Sequence, residues 1–351
     1  MIRFVRQSLT AYATPLCETV IDLPEPTGTQ VLVRIHHCGV CHSDVHLQDG
    51  YFVLGGEKRL DVSAGRSLPF TLGHEIAGVI ERAGPQAEGA TVGRAVAVFP
   101  WIGCGACPMC KTGDENLCTT PRHLGVHVDG GFASHVLVPH PRYLLDYAPL
   151  PATLAAAYMC SGITAYAALK RLAGHATRGP ALLIGLGGVG MMGLALARTM
   201  FAHPPLVADI DAKKRDAALA AGAAAAFDPA DPAARKAILA ATGGVFAACD
   251  FVGSDSSLQF ALGALAKGGK IAITGLIGGT FTTPVAMFPL RAMTIEGTLV
   301  GRLDEAREML DLARGGKVAP IPIAERPLSA AQATLDDLRG GRIVGRVVLR
   351  A

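Results

Sequence analysis

The sequence predicts an α/β protein of two domains, one a doubly wound parallel sheet and the other mostly β. Three observations carry this. From Pro180 onward, short apolar strands alternate with helical stretches, the pattern of a parallel sheet covered on both faces. Before about residue 150, glycine and proline break the chain into short Val- and Ile-rich runs, the texture of an irregular β domain. Between the first strand and first helix of the alternating half lies a glycine-rich turn.

At 351 residues the chain can bury two cores. In the first part, "QVLVRIHHCGV", "TVGRAVAVFP" and "FASHVLVPH" read as strands between turn signals. Near Leu150 the texture changes to alanine-rich helix, "LPATLAAAYMCSGITAYAALKRLA". The strand "ALLIGLG" follows, then the helix "GVGMMGLALARTMFA", the strand "PLVADID" and a helical "KKRDAALAAGAAAAF". "VFAACDFVG", "SSLQFALGALAKGG" and "KIAITGLIG" continue the alternation, and the chain ends in a strand-like "GRIVGRVVLR".

Composition removes several classes of function. A formal charge of +3, with no long run of like charge, argues against nucleic acid or an anionic membrane surface as partner. The longest apolar run, Ala181 to Ala197, approaches a membrane span, but five glycines interrupt it and strand–turn–helix describes it better. The amino terminus lacks an unbroken apolar core with a small-residue cleavage site, so the expectation is a cytoplasmic protein. In such a compartment a tight cluster among nine cysteines points to metal before disulfides.

The glycine-rich turn "GLGGVG" carries G-x-G-x-x-G at Gly185, Gly187 and Gly190, with Gly188 and Val189 between the last two. The first glycine permits the tight turn, the second admits a pyrophosphate close to the backbone, and the third lets helix pack on strand. This is the Rossmann pattern for dinucleotides. Asp209, nineteen residues after Gly190, closes the next strand. A carboxylate there accepts from both hydroxyls of an adenosine ribose and repels a 2′-phosphate, which favours NAD over NADP. Asp211, two residues on, competes for that role, and either aspartate could simply cap a helix.

Two groups of residues suggest metal. Cys104, Cys107, Cys110 and Cys118 follow one another at spacings of three, three and eight. Four thiolates converging on one tetrahedral ion leave no open position, so the expected role is structural; free or redox-active thiols are the alternative. The second group is scattered through "CGVCHSDVH", "GHE" and "MCSGIT". Cysteine and histidine ligands from separate loops suit a catalytic zinc with one open position, but spacing alone does not join them.

The ordered set "GVCHSDVH", "GHEIAGVI", the four-cysteine lobe, "CSGITAY", "GLGGVG" with Asp209, and "IVGRVV" resembles the zinc-dependent alcohol dehydrogenases of the medium-chain dehydrogenase/reductase family. The resemblance spans essentially the whole chain. It implies a discontinuous GroES-like catalytic domain at residues 1–155 and 297–351, including the cysteine lobe at about 103–118. A Rossmann domain would occupy residues 156–296.

The implied catalytic zinc ligands are Cys41, His74 and Cys160, with Cys38 outside the set. Glu75 becomes the acidic neighbour of the ligands, and Asp44 the carboxylate that holds a ligating histidine. Two zinc ions per chain are expected, one catalytic and one structural. The catalytic zinc lowers the pKa of a bound alcohol, and hydride passes to the nicotinamide of NAD. Ser43 and His46 would relay the proton, with His42 and Arg346 flanking the pyrophosphate. Thr164 and Val189 would pack on the nicotinamide ring.

Trp101 and Tyr51 are candidates for the substrate pocket, although ordinary core packing explains Trp101 equally well. Cys160 stands where the polyol-oxidising branch often has glutamate, so a simple primary or secondary alcohol is favoured over polyols, amino alcohols or formaldehyde adducts. A non-catalytic binding protein would have no need of the Ser43–His46 pair. The segment from Asp49 to Leu72 is longer than is common in the family, and a lid at the substrate entrance is expected. The family also implies a homo-oligomer, tetramer before dimer.

Overall fold

The computed structural model describes residues 2–351. In the glycine-rich half, six parallel strands lie in the order Ala225–Phe227, Leu206–Ala208, Leu182–Ile184, Val245–Asp250, Leu265–Ile273, Thr294–Gly297. Counted along the chain this is 3-2-1-4-5-6, the doubly wound arrangement. Its order reverses beside Leu182–Ile184, so the crevice at the carboxyl ends of the strands opens next to the glycine-rich turn. Leu182–Ile184 and Leu206–Ala208 are buried at every position, as strands covered on both faces must be.

One element differs from the sequence reading. The alanine-rich "KKRDAALAAGAAAAF" is not one helix: the helix ends at Ala220, and Ala225–Phe227 forms the first edge strand. Gly222 takes a left-handed φ of +93°, which interrupts helical propagation. The backbone beyond it then pairs with Leu206–Ala208. Helix propensities differ by less than about 1 kcal/mol per residue, too little to oppose a complete ladder.

The β half is built on a sheet ordered Leu144–Leu145, Ala95–Val98, Glu75–Ala83, Val31–Gly39, Arg346–Arg350, Ile323–Pro327, with His135–Val138 also paired to Val31–Gly39. The chain's last strand therefore returns to the first part, with Val348 opposite Gly39 and Leu349 opposite Cys38. A smaller sheet joins Cys17–Leu23, Ile2–Leu9 and Phe70–Thr71.

The two halves meet along the helical run Ala152–Ala176. By length and composition it could cross a membrane, but 83% of its apolar window is buried inside the protein, so it is a core element. Its first turns pack on Val31–Gly39 and Glu75–Ala83, and its later turns on helix Gly188–Met200 and strand Val245–Asp250. Midway, Tyr158–Gly162 widens into a π turn. The long segment after Asp49 forms a hairpin, Tyr51–Gly55 with Lys58–Asp61. The Gly279 N–H donates to the Leu54 carbonyl at 3.3 Å, so this hairpin reaches the loop that follows Leu265–Ile273 in the other half.

Candidate active site

Strand register assembles the site. Gly39 pairs with Glu75 where Val31–Gly39 ends and Glu75–Ala83 begins, which sets the Cys41 and His74 loops side by side. A Cβ on Gly39 would lie 2.0 Å from Glu75 Oε2, so only glycine leaves room for that carboxylate. Cys160 arrives from the π turn, a local widening often found where a helix must aim a functional side chain. One donor atom from each of Cys41, His74, Glu75 and Cys160 lies within 4.8 Å of the others, and all four residues are buried. The scattered residues that spacing alone could not join thus converge.

The donor set suits zinc. Cys41 and Cys160 sulfurs stand 3.9 Å apart, far too long for a disulfide. It is close to the roughly 3.8 Å expected of two thiolates on one tetrahedral zinc, given Zn–S bonds near 2.3 Å. Both ring nitrogens of His74, and Glu75 Oε2 beside them, are buried without hydrogen-bond partners, which leaves unpaired electron-pair donors around the space where an ion would sit. The hydrogen bond shared with Cys160 draws the Cys41 pKa well down, and the same contact, with burial, pushes Cys160 well up.

Asp44 and Glu75 border this trio in different ways. Asp44 is fully buried; it accepts from the backbone N–H of Cys41 (2.9 Å) and of Gly73 (3.2 Å), and its Oδ1 lies 3.2 Å from His74 Nδ1. One carboxylate thereby ties together both ligand loops and the ring they present. Burial lowers the His74 pKa, but Asp44 and Cys41 outweigh it and hold the ring well above the usual histidine range. Glu75 accepts a hydrogen bond from Arg346 Nη2. Burial raises the Glu75 pKa to about 7, although the guanidinium pulls the other way.

Arg346 also reaches the cofactor side. A Cβ on Gly188 would lie 2.3 Å from Arg346 Cδ, so this side chain packs against the glycine-rich turn while pairing with Glu75. In that turn Gly185 has a left-handed φ of +86°, and a Cβ on Gly190 would strike the Gly185 carbonyl oxygen at 1.7 Å. A Cβ on Gly187 would meet nothing within 4 Å, which marks the open side where a phosphate can approach. Asp209 accepts from the Leu186 N–H (2.6 Å) within the turn and from the Asp211 N–H (2.9 Å). Asp211 itself caps helix Ala212–Ala220 by accepting from Lys213 N–H (2.9 Å), so the capping alternative belongs to Asp211.

Ser43 and His46 lie on helix His42–Asp49, three residues apart and therefore on one face. His42 is exposed and its ring centroid is 5.3 Å from that of His46. Thr164 is buried near the start of helix Ile163–Ala176, and Val189 is half-buried at the start of Gly188–Met200. Trp101 is buried, donates from Nε1 to the Met159 carbonyl (2.9 Å) and stacks obliquely on the His74 ring at 5.3 Å. Tyr51 lies beneath the Arg59 guanidinium at 4.0 Å. The hairpin residue next to the proposed relay is Phe52, 4.7 Å from the His46 ring. Sequence reasoning missed Phe52 and also His123, whose ring packs edge-on against Trp101 at 5.3 Å.

The four-cysteine lobe stands apart. Sulfur separations of 4.0 Å (Cys104–Cys110), 3.5 Å (Cys107–Cys110) and 3.7 Å (Cys107–Cys118) again suit one tetrahedral ion. Backbone N–H groups of Ala106 and Cys107 point at the Cys104 sulfur, and those of Cys104 and Thr120 at Cys118. These donors help to draw the Cys104 pKa down to about 6, while burial pushes Cys110 up to about 12. The lobe is tied to the start of helix Leu303–Arg314 by Asn116 Nδ2 on the Leu299 carbonyl (2.7 Å) and by Arg302 with Asp114 (3.3 Å).

Known proteins resemble this chain along nearly its whole length. Residues 27–149 match the alcohol dehydrogenase GroES-like domain, and residues 188–315 match the zinc-binding dehydrogenase family. The chain is 37% identical to an NAD-dependent alcohol dehydrogenase of Saccharolobus solfataricus, over 95% of this chain and 96% of the relative. It is 36% identical to one from Sulfurisphaera tokodaii, with the same coverage. Among solved structures, the alcohol dehydrogenase of the archaeon Aeropyrum pernix superposes with a TM-score of 0.88 at 30% identity, covering 99% of this chain and all of that one.

Proposed function

The chain belongs to the zinc-containing, NAD-dependent alcohol dehydrogenases of the medium-chain dehydrogenase/reductase family, and on that premise we propose that Cys41, His74 and Cys160 form the centre at which a primary or secondary alcohol is reversibly oxidised to an aldehyde or ketone. The convergence of these three buried soft donors carries the reading. Zinc held there supplies Lewis acidity toward the alcohol oxygen, and NAD along the glycine-rich turn accepts the hydride. Three protein ligands leave one position for substrate, whereas the lobe's four thiolates leave none.

The chain's own residues do the rest. Asp44 fixes the orientation of His74, and Arg346 links Glu75 to the pyrophosphate side of the glycine-rich turn. His42 takes the other side of the pyrophosphate, and Thr164 and Val189 hold the nicotinamide face. Trp101, stacked on His74, keeps water from the reacting end of the pocket. Ser43 takes the alcohol proton and His46 passes it to solvent.

Burial and the His42 ring lower the His46 pKa; Arg339 acts in the same direction, and Asp49 and Cys41 act against it. His46 is therefore neutral and able to accept a proton at neutral pH. Acid fills that acceptor, so low pH slows oxidation and favours reduction.

The catalytic domain comprises residues 1–155 and 297–351, a division supported by the return of Arg346–Arg350 to the strand Val31–Gly39. The NAD domain comprises residues 156–296. Its edge strand Thr294–Gly297 lies near the exposed Val285, Leu290 and Leu299, which supports a homo-oligomer, tetramer or dimer. None of the nine cysteines is joined in a disulfide, in keeping with a reducing, cytoplasmic setting.

Mixing the zinc-loaded protein with NAD and a panel of primary and secondary alcohols should produce absorbance of the reduced cofactor; silence across the panel would defeat the assignment. Replacing Asp209 with Gly removes the partner of the ribose hydroxyls. The NAD-over-NADP ratio of kcat/KM should then narrow by about tenfold or more, the worth of hydrogen bonds to a charged acceptor. An unchanged ratio would show that Asp209 does not read the ribose.

A further inference from the structure

His123 is 6% exposed, and its Nε2 is buried with no hydrogen-bond partner. It belongs to neither metal group and lies off the Ser43–His46 path. Its surroundings place it one aromatic ring away from His74. The ring packs edge-on against Trp101 at 5.3 Å, and Trp101 lies 5.3 Å from the His74 ring on its other contact. On the outer side His127 packs edge-on at 5.0 Å. Arg66, from the segment after the hairpin, lies near His127 and has a buried Nη1 that is also without a partner. The wall beyond Trp101 is therefore polar.

The ring's protonation decides what it can recognise. Burial, and next His127, push the His123 pKa down to about 3, so the imidazole is neutral. The Glu115 backbone acts against that shift. A neutral imidazole carries one N–H and one lone pair, so the unpartnered Nε2 is able to present the lone pair.

We propose that His123 is a specificity residue of this alcohol dehydrogenase, its Nε2 accepting a hydrogen bond from a second hydroxyl on an aromatic alcohol whose ring lies against Trp101. The inference rests on the Cys41–His74–Cys160 centre being where the carbinol binds. The substrate class is then hydroxylated aryl alcohols. A substrate without that donor leaves Nε2 buried and unpaired, and polar sites discriminate by this means more sharply than apolar ones.

The experiment compares 3-hydroxybenzyl alcohol, 3-methoxybenzyl alcohol and benzyl alcohol on the zinc-loaded enzyme with NAD. The methoxy compound keeps the oxygen and loses the donor. The hydroxy compound should lead both others in kcat/KM by about tenfold, most of it in KM, the scale of one buried hydrogen bond. His123→Leu should abolish that lead, and His123→Gln, which retains an acceptor oxygen, should restore part of it. Binding is read separately from the fluorescence of Trp101, the chain's single tryptophan, with zinc content and Tm as checks that each variant is folded. A native enzyme that ranks the three alcohols equally, or a His123→Leu enzyme that keeps the native ranking, overturns the proposal while leaving the alcohol dehydrogenase assignment standing. Failure to oxidise any alcohol overturns that assignment, and this inference with it.

Discussion

Replacing Cys41 with Ala should lower kcat for alcohol oxidation by about a thousandfold or more, because several kcal/mol of charge stabilisation at the reacting oxygen disappear with the metal. The protein should remain folded. The bond that closes the first turn of helix His42–Asp49 runs from the Cys41 backbone N–H to Asp44, and alanine keeps that N–H. NAD affinity should change by less than about threefold, since the glycine-rich turn and Asp209 are untouched. Elemental analysis should give two zinc ions per chain for the native protein and one for the variant. A variant that keeps both ions and its turnover would remove Cys41 from the centre. Loss of NAD binding alongside turnover would instead point to a collapse of the domain contact through Arg346.

The legibility of these features in the sequence follows their range along the chain. "GLGGVG" could be read because its strand, turn and helix are contiguous and each glycine meets a local steric demand, seen here at Gly185 and Gly190. The cysteine lobe could be read because its four sulfurs lie within fifteen residues. Cys41, His74 and Cys160 span 120 positions, and only the resemblance joined them. The register that places Gly39 opposite Glu75 is a tertiary fact that no local pattern carries.

Alanine-rich sequence concealed two features. The π turn at Tyr158–Gly162 and the strand Ala225–Phe227 both lie in stretches whose propensity reads as plain helix. His123 had a weaker signal still, two histidines four apart in "HLGVH". That spacing marks a metal site only when a third ligand converges, and its packing against Trp101 emerges only from the fold. The Asp209–Asp211 ambiguity was of another kind: the structure gives the helix cap to Asp211 and sets Asp209 against the glycine-rich turn.

The lobe offers the sharpest contrast with Cys41. Replacing Cys107 with Ser removes one of four thiolates from an ion that has no open position, and a serine hydroxyl does not ionise near neutral pH to take its place. Removing a structural metal ligand is among the few single changes expected to cost about 3–5 kcal/mol, or roughly a 10 °C fall in Tm for a protein of this size. The damage should spread along the lobe's two ties, from Asn116 to the Leu299 carbonyl and from Asp114 to Arg302. Leu299 is exposed near the edge strand Thr294–Gly297, the face proposed above for assembly, and on that proposal sedimentation should reveal weakened assembly together with the lower Tm. Below its melting transition the variant should retain kcat within about threefold per folded chain, because mutations without shared partners act independently. That pattern separates a clamp from a catalyst. A Cys107→Ser protein with native Tm and assembly but lost turnover would mean that the lobe's metal acts in the reaction, and the division between one closed and one open zinc site would fail.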